Sequence, residues 1–87
     1  MNFNQLFSAD FAYEINSSGT YELSPQTVGI ILGTVQDETN YITIEFNIGE
    51  AVNCKDYFMN MVYYPIKPAK ITITGMVKVL IFEKINN

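Results

Sequence analysis

The chain has 87 residues, 48% of them apolar, a formal net charge of −4, one cysteine and no histidine. That length gives one domain, residues 1–87, with a single modest core, and the apolar share argues against disorder. Without histidine the usual general base, the usual zinc ligand and every Ser-His or Cys-His nucleophile pair are missing, so no catalytic residue, metal or cofactor is expected.

Residues 1–10 open the chain with Phe3, Leu6 and Phe7, which with Phe11 fall at helical spacing. They fit a short amphipathic helix packed on the core, or an arm docked on another subunit. The N-terminus carries no basic residue before its apolar positions, so no secretory signal is expected. No apolar run reaches the ~18 residues of a membrane span. The lone Cys54 fits a reducing, cytoplasmic compartment.

Residues 11–24 read as a hairpin. Phe11, Tyr13 and Ile15 alternate with smaller or polar residues, Asn16-Ser17-Ser18-Gly19 is a turn cluster, and Ser24-Pro25 ends the returning strand. Residues 27–48 read as a second hairpin around the polar loop 36–40, with Ile42, Ile44, Phe46 and Ile48 alternating against Tyr41, Thr43, Glu45 and Asn47. Gly29 and Gly33 share one face of its first strand, where they allow tight curling or the approach of another backbone.

Residues 49–64 are ambiguous between helical and strand spacing. A short helix or loop near 50–56 and a strand near 57–64 are expected, followed by a connection from Pro65 to Pro68. Cys54 is expected to be half-exposed and dispensable.

The strongest signal is the stretch 71–85. Ile71, Ile73, Val77, Val79, Ile81 and Ile85 share one phase, while Met76, Leu80 and Phe82 make the other face apolar after Gly75. As a straight strand it would run about 50 Å, whereas a domain of this size is only about 30 Å across. It must bend, and Gly75 is the place. The unbroken phase favours a bend over a tight hairpin at Thr74–Gly75. Two apolar faces require two cores. The second could come from a helix over residues 3–11, a neighbouring subunit or another protein.

Five or six strands with short connections and at most one or two short helices predict a mostly β fold: a small curved antiparallel sheet closing into an SH3-like or OB-like barrel. A small sandwich, or a sheet covered by one helix, comes next.

The charges are unevenly placed. The first 54 residues hold seven of the nine acids and no lysine, hence −7; residues 55–87 hold all five lysines and two acids, hence +3. Strands from the two parts are expected to neutralise one another on pairing. Asp37 and Glu38 read as loop solubilisers, and Lys78 as a guarding charge on an edge strand.

These features point to a non-enzymatic interaction or assembly module, such as a small accessory protein of a virus or mobile element. It would bind a protein partner, or itself as a homo-oligomer, through an apolar-aromatic strand surface. The expected contact residues are Tyr57, Tyr63, Tyr64, Met76, Lys78, Leu80 and Phe82. The alternative is a barrel that stacks single-stranded nucleic acid on its Tyr and Phe rings beside Lys55, Lys67 and Lys70. The net negative charge and the lack of arginine argue against it.

Overall fold

The structure, a computed structural model, describes residues 9–85. Among the described residues, period-two alternation is realised as strands β1 (Phe11–Ile15), β2 (Gly19–Glu22), β3 (Thr27–Leu32), β4 (Tyr41–Glu45), β5 (Val52–Asn53), β6 (Tyr63–Tyr64), β7 (Lys70–Thr74) and β8 (Val79–Glu83), with a short helix, α1 (Cys54–Tyr57). They pair antiparallel in two four-stranded sheets, β1-β8-β3-β6 and β2-β7-β4-β5.

Four of the pairings obey one rule. Phe11 lies opposite Glu83, Tyr21 opposite Ile71, Ile31 opposite Tyr63 and Ile44 opposite Val52, so the partner numbers always add to between 92 and 96. The chain is thus one long antiparallel hairpin with its apex in the loop after β4. Two further pairings, β3 with β8 and β4 with β7, roll this ribbon up on itself. That is jelly-roll connectivity.

Both expected hairpins are corrected. β1 pairs with β8 and β2 with β7, not with each other; β3 pairs with β8 and β6, and β4 with β7 and β5. The polar segments 16–18 and 33–40 carry the chain from one sheet to the other rather than reversing it within a sheet. The expected closed barrel is not met either. Among the described residues eight strands form two sheets that remain open with edges, and the two-residue strands β5 and β6 were too short to show alternation.

The core lies between the sheets. Ile15, Ile30, Leu32, Val79 and Ile81 from one meet Ile42, Ile44, Ile71 and Ile73 from the other, all buried. Each contributes about 1.5–3 kcal/mol on leaving water. The outer face of the second sheet is polar, as the alternation of β4 implied. Its rows include Thr20 with Thr72, whose hydroxyls lie 3.2 Å apart, and Glu22–Lys70–Glu45. In that row a lysine from the basic part sits between two acids from the other, with Lys70 Nζ 4.0 Å from Glu45 Oε1.

Gly75 makes the bend. Its φ is +84°, and Ile71, Ile73, Val77, Val79 and Ile81 stay buried on either side, so the phase crosses the corner without slipping. A side chain there has no room: a Cβ would come within 2.4 Å of both the Thr39 carbonyl and Asn40 Oδ1. Gly75→Val therefore combines a disfavoured φ with a backbone clash, and should destabilise by about 3 kcal/mol or more, read as a lower denaturation midpoint.

Around Cys54 the ambiguity resolves as a β5–α1 junction. Asn53 caps α1, its Oδ1 accepting from the Lys55 amide at 2.9 Å, and turns Cys54 into the core, where it is wholly buried. The half-exposed cysteine is a correction, because helical and strand spacings predict opposite orientations at this position. Burial pushes the thiol up to about 12. The folded chain keeps this proton while the unfolded chain releases it near 9, so stability from this group falls as pH rises from about 9 towards 12. Cys54→Ser should cost about 1–3 kcal/mol by burying an unpaired hydroxyl, and the native thiol should react with a disulfide reagent only on unfolding.

Candidate functional site

The connections between the sheets at residues 16–18, 33–40, 58–62 and 75–78 are stitched to one another. Ser18 Oγ donates to the Gly75 carbonyl at 3.0 Å, and the Lys78 amide to Thr34 Oγ1 at 3.3 Å. The Met61 amide donates to the Leu32 carbonyl at 2.7 Å, and the Met76 amide to Asn40 Oδ1 at 2.8 Å.

Asp37 organises this corner. Its Oδ1 accepts from the amides of Thr39 at 2.9 Å and Asn40 at 2.8 Å, closing an Asx-type turn. The Thr39 and Asn40 donors hold its carboxyl below the usual range. Glu38 instead reaches Lys55 Nζ at 3.6 Å. The solubiliser reading missed the role of Asp37, although Asp37-Glu38-Thr39-Asn40 carried the turn signal.

On this framework apolar side chains stand in solvent. Met76 is 87% exposed, and Val35, Met59 and Met61 each at least 68%. Met61 is the one non-glycine with a positive φ, +64°, among the described residues. Such a conformation costs about 1–2 kcal/mol and persists only where the surroundings impose it. Met61 also lines a shallow groove with Glu14, Ile31, Gly33, Lys78 and Leu80, along the outer face of β8.

The seven expected contact residues separate. Met76 and Lys78 are exposed and line one depression beside Thr34, and Lys78 precedes the central strand β8 rather than guarding an edge strand as expected; Leu80 is half-buried in the groove with Lys78. Tyr57 is exposed but lies on α1 beside Glu50 and Asp56. Tyr64 turns inward and stacks on Phe58 at 4.5 Å, its hydroxyl accepting from the Met59 amide at 2.7 Å. Tyr63 turns outward, donates to the Val28 carbonyl at 3.2 Å and meets Phe82 edge-on at 5.1 Å. Its ring fills the place of a side chain on Gly29, where a Cβ would come within 2.2 Å of the Tyr63 hydroxyl. Gly29 therefore admits an aromatic ring rather than another backbone. Phe82 is wholly buried and has no surface to offer a partner. The helix expected over 3–11 lies outside the described residues up to position 8; Phe11 begins β1.

Nor do the residues of the nucleic-acid reading form one basic aromatic surface. Tyr64 faces the core, Lys55 is paired with Asp56 at 3.0 Å, and Lys70 sits between acids. Among the described residues no group of three His, Cys, Asp or Glu could hold a metal ion, and no helix is long and apolar enough to cross a membrane.

One buried polar cluster remains. Glu83, 7% exposed, accepts from the Tyr13 hydroxyl at 3.2 Å, and lies opposite Thr27, whose buried Oγ1 has no partner. Burial, then the Glu83 charge and its hydrogen bond, push the Tyr13 phenol up to about 12. Tyr13 thus keeps its proton where the unfolded chain loses it, and its contribution to stability falls as pH rises from about 10 to 12. The ultraviolet titration of the native tyrosines should contain a component with a midpoint at about 12 that Tyr13→Phe removes.

The chain matches no protein-family model, and no curated protein and no solved structure is significantly similar to it.

Proposed function

We propose that the protein is a non-enzymatic interaction module that docks another protein on the apolar loops at one end of the sandwich, Val35, Met59, Met61 and Met76. The groove between Met61, Ile31 and Leu80 would extend this contact. The observation that carries the reading is the exposure of these side chains on loops that are hydrogen-bonded into place, one of them in a strained backbone conformation. A solvated loop has no need of such residues, whereas an interface uses them. Methionine is suited to it, because its unbranched thioether adapts to a partner's shape. The absence of histidine supports a binding role over catalysis, and the single thiol suits a reducing, cytoplasmic setting.

The surface can be altered without loss of fold. Asn tolerates a left-handed φ better than Met, so Met61→Asn should leave the unfolding free energy unchanged or raise it by up to about 1 kcal/mol, read from denaturant titration. Combined with Met59→Gln and Met76→Gln it gives a folded variant lacking the apolar side chains. In affinity capture from nuclease-treated extracts, proteins enriched by the wild-type chain should be lost with this variant. Equal recovery by both baits would sink the proposal.

A further inference from the structure

We propose that β1 pairs edge to edge with β1 of a second copy of this chain, antiparallel about a two-fold axis at Tyr13. This edge lies apart from the apolar loops, sharing only Glu14 with the groove beside them, and its pairing joins the two β1-β8-β3-β6 sheets into one of eight strands.

The four sheet edges are not equivalent. β5 and β6 have two residues each, and β2 is four residues beginning with Gly19. β1 has five residues, with no proline or lysine to guard it. It also presents two aromatic rings, Phe11 at 41% and Tyr13 at 36% exposure, 6.5 Å apart.

The direction of its backbone groups follows from its neighbour. Gly33 donates to the Lys78 carbonyl at 2.9 Å and Lys84 donates to the Gln26 carbonyl at 3.0 Å. The even-numbered residues of this segment therefore face β3. The odd-numbered ones, Val79, Ile81 and Glu83, face β1, opposite Ile15, Tyr13 and Phe11. Along a strand these directions alternate. The N–H and C=O groups of Ala12 and Glu14 hence point away from β8, and no described residue takes them up.

Only one symmetric register uses all of them without opposing like charges. With Tyr13 opposite Tyr13 of the second copy, Ala12 of each chain lies opposite Glu14 of the other. Each such pair exchanges two hydrogen bonds, and the Glu14 carboxylate faces a methyl group. Phe11 then meets Ile15 of the second copy, and the exposed rings are covered. Centring the axis on Glu14 would oppose two Glu14 carboxylates, and centring it on Ala12 would oppose Asp10 to Glu14. A shift by a single residue would turn the edge groups out of register. An antiparallel edge is self-complementary, which suits the two-fold symmetry of most homodimers.

Sedimentation equilibrium of the full chain at micromolar to hundreds of micromolar concentration tests the pairing, together with amide exchange. The expected result is a species of twice the 9.9 kDa chain mass, with the Ala12 and Glu14 amides protected only as the dimer forms. Ala12→Glu sets two carboxylates against each other at both pairs and should weaken the dimer roughly tenfold; Ala12→Lys should tighten it by a similar factor. Circular dichroism checks both folds, and if either variant unfolds, the wild-type amide data decide. A monomer throughout, fast exchange of both amides in the dimer, or a dimer indifferent to the sign of the charge at position 12 would each overturn the proposal.

Discussion

The structure depends on the double pairing of β8. This strand is hydrogen-bonded to β1 on one side and β3 on the other, and its inward residues Val79 and Ile81 are wholly buried between the sheets. Its pairing with β1 closes the ribbon at its open end; its pairing with β3 rolls the ribbon into a sandwich. The second sheet repeats the arrangement with β7 between β2 and β4. The bend at Gly75 is what lets one continuous stretch serve as a central strand of both sheets. Most of these contacts join residues far apart in sequence, such as Phe11 and Glu83, so chain entropy is spent before they form and folding should be slow for the size of the domain.

The two outer faces differ in chemistry. That of the second sheet carries threonines and the Glu22–Lys70–Glu45 row, and needs only water. Such exposed ion pairs add little stability, but they keep that face soluble and unattractive to apolar surfaces. The outer face of the first sheet carries Ile31, Leu80 and Phe82. It is filled where Tyr63 lies over Gly29 against Phe82, and is only half covered around Ile31 and Leu80. The apolar loops join the first sheet at this thinner end, through Met61 and its groove.

The same hydrogen bonds that build the corner also present its side chains. Asp37 closes the turn that positions Asn40, Asn40 holds the amide of Met76, and the lack of a side chain on Gly75 lets these groups meet. Met76 is thereby directed outward by backbone geometry, not by want of a place in the core. At the other end of β8, Glu83 is kept in a buried site by Tyr13, and the Ile85 amide donates to Asp10 Oδ2 at 2.6 Å, tying both ends of the described chain to one edge of the sheet.

Composition and alternation by themselves determined the β class, the polar outer side of β4 and the bend at Gly75, whereas, among the described residues, acids and a lysine meet across strands only at the row Glu22–Lys70–Glu45. The first three are properties of a residue and its near neighbours: period two sets which side chains share a face, and only glycine turns a strand at a positive φ without strain. The tertiary structure alone decided which strands pair. Residues 16–18 and 33–40 carry ordinary turn chemistry, and a turn that reverses a strand within a sheet looks, in sequence, like one that crosses to the opposite sheet. The same limit explains the aromatics. Tyr63 and Tyr64 are adjacent and chemically alike, yet one covers Gly29 and the other packs on Phe58, because strand geometry sends neighbours to opposite faces and only distant partners say what each face meets.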